Sequence, residues 1–178
     1  MRWLERARIA PLLRWSGEYR RDLFYVVTAF ALSTMVIHYL KSHTGVYCPV
    51  ETTPYGGPQA PREWFEHFRW IGDAGDGRCW PGGHASSGFT LLALYFVALR
   101  HGWTHARRLL VTILMLGLAY GTTRVLQGWH YMSHTFWAGI FVWLTSFGTA
   151  LLFYGRPALS AVGTLPDNAQ ASLSLAEN

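Results

Sequence analysis

The chain is 178 residues long, 51% apolar, 16% aromatic and only 14% charged, with a formal net charge of +5. A soluble domain carries roughly a quarter of its residues as Asp, Glu, Lys or Arg, and a soluble nucleic-acid binder would spread its cations along a polar face; no nucleic-acid partner is expected here. The length suits one domain or one small membrane bundle, and cations confined between apolar runs read as membrane topology.

In chain order, residues 1–22 are basic and Trp-containing, and are expected along the inner membrane surface as an interfacial segment. The apolar run behind them is long and lacks a small-residue cleavage site, which favours an uncleaved signal anchor. Leu23–Leu40 is the first expected span, about 18 uncharged residues ending at Lys41. A long outer loop, 41–83, follows, with turn chemistry at Tyr55-Gly56-Gly57-Pro58 and across Gly72–Gly77. Between those turns Pro61–Trp70 predicts a short helix at headgroup level. His84–Leu99, Leu109–Thr123 and Thr135–Tyr154 are the remaining spans. Roughly 20 residues cross a 30 Å hydrocarbon core, so the two middle segments are marginal alone. Four such segments with few charges between them favour the bilayer over buried core helices.

The expected fold is therefore all-α, an integral membrane bundle of about four transmembrane helices. Residues 23–154 form its membrane domain and 155–178 a polar, disordered tail. With a cytoplasmic N-terminus, Arg2, Arg6, Arg8, Arg14, Arg20, Arg21, Arg100, Arg107, Arg108 and Arg156 lie inside. Lys41, Arg62, Arg69, Arg78 and Arg124 then lie outside, which obeys the positive-inside rule. Both termini are expected in the cytoplasm.

That orientation puts three polar clusters on the outer face: Lys41 to Pro49, Pro81-Gly82-Gly83-His84, and Arg124 to His134. Together they offer cations, glycine amides and paired imidazoles, the groups needed to hold a phosphate and break its ester. Lys41, the only lysine, and Arg124 supply fixed charge. Gly82 and Gly83 allow close backbone approach, and a helix starting near His84 directs free amides at an anion. Residues 77–166 contain no Asp or Glu, which argues against two bound metal ions; no cofactor and no metal are expected. His38, His43, His67, His101 and His105 match no cluster and are expected to be solvated or interfacial.

The order and spacing of these clusters resemble the type 2 phosphatidic acid phosphatase superfamily. Lys41 is followed by six residues and Cys48-Pro49, where that family has Arg-Pro. Pro81-Gly82-Gly83-His84 stands for Pro-Ser-Gly-His. Thr123-Arg124, five residues, His130, three residues and His134 stand for the third motif, whose last residue is an aspartate. The resemblance covers roughly residues 23–154. It implies that His130 attacks phosphorus to give a phosphohistidine, that His84 protonates the leaving alcohol, and that water then releases phosphate.

Three departures accompany it. Cys48 removes a phosphate-binding arginine. His134 replaces the aspartate that orients the nucleophile, and Glu51 or Asp76 are the plausible substitutes. Membrane members usually have six spans, of which this chain matches the last four, as a fragment, a reduced form, or a bundle covered by partner chains such as a homo-oligomer.

The implied function is a metal-independent phosphomonoesterase or pyrophosphatase acting on a lipid phosphate, at the outer face of a bacterial inner membrane. Two alternatives stay open. One is a binding protein that keeps the pocket without turnover. The other is a metal site on His130 and His134, four apart on one helix face, completed by His84 or Cys79. Cys48 and Cys79, the only two cysteines, both fall in the outer loop and predict a disulfide. Closing a loop of about 31 residues would stabilise by roughly 3–4 kcal/mol.

Overall fold

Backbone in a hydrocarbon core must satisfy its own hydrogen bonds, so apolar runs of this length become helices. The computed structural model describes residues 2–68 and 75–156, with side chains from residue 19 onward except Trp64. Among the described residues five α-helices form: α1 (Arg2–His43), α2 (Gly83–Phe89), α3 (Leu92–Arg100), α4 (Ala106–Leu126) and α5 (Met132–Tyr154). Three are long and apolar enough to cross a membrane: α1 over Tyr19–His43, α4 and α5.

The segment expected as a fourth span, one of the two marginal ones, folds as two shorter helices, α2 and α3, which together cover about 27 Å. Its break at Thr90-Leu91 has a local cause. The hydroxyls of Ser86, Ser87 and Thr90 donate to the carbonyls of Gly83, His84 and Ser87, each at 2.7 Å, and such back-bonding loosens a helix. Two other expectations meet differences. The basic segment joins the first span in one continuous helix from Arg2. The short outer helix is a single 3-10 turn, Trp64–His67, and its expected end at Arg69 and Trp70 lies outside the described residues, as does the polar tail from residue 157.

Close packing rests on glycine. Gly117 and Gly121, one turn apart on α4, are both buried. A Cβ on Gly117 would stand 2.3 Å from the Phe89 ring, and one on Gly121 would stand 2.2 Å from Thr135. This small-xxx-small pair lets α2 and α5 lie against α4. Ile37, Ala85, Phe89, Leu92, Ile113, Ala138 and Val142 fill the resulting core. Away from it, Leu23, Phe24, Val27, Met35, Val111, Met115, Phe136 and Leu152 are each more than half exposed. Apolar side chains turned outward on three helices are what a bilayer requires, and the chain is a helical membrane bundle.

The two ends of the bundle are built differently. At one end Asp22, 4% exposed, pairs with Arg100 and accepts from His101 Nε2 at 2.8 Å. His101, expected to be solvated or interfacial, is therefore a clamp between α1 and the turn after α3. At the other end the loops are knitted together. The Thr44 hydroxyl lies 2.7 Å from the Leu40 carbonyl and 3.1 Å from the Trp80 carbonyl, which ends α1. Gly45 N–H donates to His67 at 2.7 Å, Cys79 N–H to Val46 at 2.8 Å, and Val50 N–H to Gly128 at 3.1 Å. Cys48 and Cys79 are joined in a disulfide, with Cα atoms 5.1 Å apart.

Candidate active site

The knitted end collects the end of α1, the start of α2, the end of α4 and the start of α5. Between them opens a cavity of about 530 Å³ lined by Lys41, Cys48, Arg78, Gly83, His84, Ser87, Arg124, Trp129 and His130. All three polar clusters thus converge, although they lie about 40 residues apart in sequence. Among the described residues, no carboxylate lines this cavity.

His130 sits in the loop between α4 and α5 and is buried. Its Nδ1 lies 3.4 Å from His134 Nδ1 and 3.2 Å from Cys79 Sγ. That nitrogen is thus turned into the protein, which leaves Nε2 for the cavity. Burial, and then the nearby charges of Lys41, Arg124 and His84, push the His130 imidazole down to about 4, so it is neutral and carries a free lone pair at pH 7. His134, on the first turn of α5, is itself 4% exposed.

Three cations face the cavity. Lys41 Nζ donates to the Arg78 carbonyl at 2.9 Å, and its stem passes Gly83 closely: a Cβ there would meet Lys41 Cε at 3.3 Å. Arg124 is held by Gln127 Oε1, 2.8 Å from its Nη1, and lies over the Trp129 ring at 5.6 Å. Its Nε is buried with no acceptor among the described residues. A buried guanidinium donor without an acceptor costs free energy, and an anion in the cavity would supply what is missing.

Arg78 is the residue that the motifs did not single out. It is exposed at the cavity edge, next to Cys79. The signal was present as an arginine beside a cysteine whose partner, Cys48, stands where a cation was expected. The disulfide to Cys79 brings Arg78 to the same cavity that Cys48 lines.

Two expectations need correction. Gly82 N–H donates to the His134 carbonyl at 3.1 Å, so that amide is not free for phosphate. Gly82 docks the α2 turn onto α5, and a Cβ there would come within 3.2 Å of the same carbonyl oxygen. Glu51 is no substitute for the missing aspartate, because its Oε2 accepts from Cys48 N–H at 2.6 Å and closes the 3-10 turn Pro49–Glu51. Asp76 is exposed and lines neither cavity at the histidine pair. The metal alternative has a geometric counterpart: donor atoms of Cys79, His130 and His134 lie within 4.8 Å of one another, and His84 is not among them.

A second cavity, of about 590 Å³, abuts the histidine pair on its His134 side. Phe68, Trp80, Tyr131, Trp137 and Phe141 give it an apolar wall.

A family model described as PAP2 superfamily matches residues 22–157. No curated protein and no solved structure matches the chain.

Proposed function

The chain belongs to the PAP2 superfamily, which points to phosphatase activity on phosphate esters, and on that premise we propose that it is a lipid-phosphate phosphatase using His130 as nucleophile at the outer membrane face. One observation carries this reading. His130, neutral and with Nδ1 turned onto His134, shares a cavity with Lys41, Arg78, Arg124 and His84 and with no described carboxylate.

The residues divide the work as follows. Lys41, Arg78 and Arg124 hold the phosphoryl oxygens and neutralise charge as it builds in the transition state. His130 Nε2 attacks phosphorus, the P–O bond to the alcohol breaks, and His84 gives its proton to the departing oxygen. His130 Nδ1–H is shared with His134 Nδ1, which fixes the tautomer without supplying negative charge. Water, losing a proton to His84, then attacks the phosphohistidine, and the P–N bond breaks to release phosphate.

The lipid assignment rests on the bundle and on the second cavity. The outward apolar faces support a position in the bilayer, and the aromatic cavity beside His134 is suited to the first carbons of an acyl or prenyl chain. An amphiphile would present its headgroup to the cations without leaving the membrane.

The test is phosphate release from a panel of lipid monophosphates and diphosphates and a short water-soluble ester, with and without chelator. Chelator-resistant release that prefers the lipids is expected, together with a trapped acid-labile, alkali-stable phosphoprotein. Tight phosphate or vanadate binding without turnover would favour a binding protein instead.

A further inference from the structure

The histidine pair has a third neighbour that ester cleavage does not use. Cys79 Sγ lies 3.2 Å from His130 Nδ1, which lies 3.4 Å from His134 Nδ1. All three residues are buried, and their donor atoms fall within 4.8 Å of one another. A tetrahedral zinc, with bonds of about 2.0 Å to nitrogen and 2.3 Å to sulfur, spaces its donors roughly 3.3–3.6 Å apart. The two edges that meet at His130 are close to that spacing and the third, between Cys79 and His134, is within 4.8 Å, so the three donors can converge on one thiophilic metal. One bond withholds it: the Cys79 sulfur is joined to Cys48, and the metal ligand is the thiolate, not the disulfide.

The geometry points to a second, redox-gated state of this centre, in which reduction of Cys48–Cys79 opens a site for a zinc-like cation on Cys79 Sγ, His130 Nδ1 and His134 Nδ1, and loading it silences the phosphatase. Only the silencing rests on the proposed role of His130; the metal site does not. The reduction is a two-electron exchange with a dithiol. One of its sulfurs attacks Cys48 or Cys79, the second closes on the first, and the products are two cysteine thiols and a cyclic disulfide. The cation then displaces the Cys79 thiol proton and takes the Nδ1 lone pairs of both histidines.

The loss of nucleophilicity follows from the imidazole itself. A neutral imidazole carries one N–H. With Nδ1 bonded to metal the proton must sit on Nε2, the nitrogen left for the cavity, and an N–H has no lone pair with which to attack phosphorus. The working enzyme needs the opposite tautomer. An oxidising compartment maintains the disulfide and so the working form; reducing conditions with available zinc close it.

The experiment uses the whole protein in detergent. A trialkylphosphine and water convert the disulfide to two thiols and a phosphine oxide, and leave no thiol reagent to compete for metal. After desalting, cobalt(II) is added as a spectroscopic probe and zinc as an inhibitor. One equivalent of cobalt is expected to give a thiolate-to-metal charge-transfer band in the reduced protein and none in the oxidised protein. Cys48→Ala, which frees Cys79 without reductant, should show the band at once. Adding His134→Ala to it should weaken binding beyond the roughly 10- to 100-fold that loss of a supporting partner produces. Zinc should block phosphate release from reduced protein only, and chelator should restore it.

Absence of the band from both the reduced protein and Cys48→Ala would overturn the site. Equal zinc inhibition of oxidised and reduced protein, or a cobalt band with turnover indifferent to zinc, would overturn the switch. The cobalt spectrum is read without substrate, so its failure is distinct from failure of the phosphatase reading.

Discussion

The two ends of this bundle handle charge in opposite ways. At the Asp22 end a buried carboxylate is matched by Arg100 and His101. At the His130 end Lys41, Arg78 and Arg124 surround a cavity where, among the described residues, there is no carboxylate and no acceptor for Arg124 Nε. A folded chain normally pairs its buried charges, because an unpaired one costs several kcal/mol. Compensated charge fastens helices together. Uncompensated charge of a single sign is what a site keeps for an anionic ligand.

The largest expected effect breaks the open end at its proposed nucleophile. His130→Ala should lower turnover by roughly 10⁴- to 10⁶-fold while leaving vanadate affinity largely intact, as steady-state release and vanadate competition would show. Parent-like activity in this variant would sink the mechanism. The closed end should respond in stability and not in chemistry. Asp22→Ala leaves Arg100 and His101 facing a vacancy and should cost about 3–5 kcal/mol, seen as a lower unfolding temperature in detergent, with KM for a soluble ester little changed in the folded fraction.

Next come the cations that make the open end positive. Arg124→Ala should reduce kcat/KM by about 10²- to 10³-fold, the usual effect of deleting one aligned transition-state donor. Arg78, more exposed, should matter less, by about 10- to 100-fold. An Arg78→Ala enzyme indistinguishable from the parent would show that the charge lost at Cys48 is not replaced.

Smaller still is the effect of restoring a negative charge behind the nucleophile. His134→Asp should raise turnover about tenfold, because a carboxylate beside His130 favours the imidazolium that forms as His130 attacks phosphorus and the alcohol departs. Loss of activity in a folded variant would mean that His134 contributes something a carboxylate cannot.

The finest test uses pH. His130 is held near 4, below its unfolded value of about 6.5. The acid limb of kcat/KM on a substrate whose phosphate does not titrate in this range should therefore lie near pH 4. Lys41→Gln removes one of the repelling charges, so the limb should move toward neutral pH. The stability sign follows from the same shift. Between about pH 6.5 and 4 the unfolded chain binds the proton more readily, so the folded state loses stability as pH falls through that window. Urea midpoints at pH 7 and pH 4.5 would check it, and a smaller loss is expected in His130→Ala.

Much of this was legible from residue order. The four apolar segments, the cation asymmetry and the motif spacings around Lys41, His84, Arg124 and His130 are local properties of the chain, and helices in lipid must form where apolar runs are long enough. The pairing of the only two cysteines was also within reach, since there was no alternative partner. Other features depended on which groups meet across tens of residues. The amide of Gly82 seemed available until α5 brought the His134 carbonyl to it. Glu51 seemed a spare carboxylate until the Cys48 N–H took it. His101 matched no motif, and only the packing of α1 against the turn after α3 gave it Asp22.

Arg78 shows the division most clearly. Its one local signal is the neighbouring Cys79, and its place at the cavity that Cys48 lines exists only once the chain closes and the disulfide forms. By itself the sequence determined that a membrane bundle would present cations and imidazoles at one face. Only the tertiary structure decided which of them point into one cavity, which spend their hydrogen bonds on each other, and that Cys79, His130 and His134 meet. Helix formation is set by a few neighbouring residues, whereas the coordination around a buried nitrogen is set by every element packed against it.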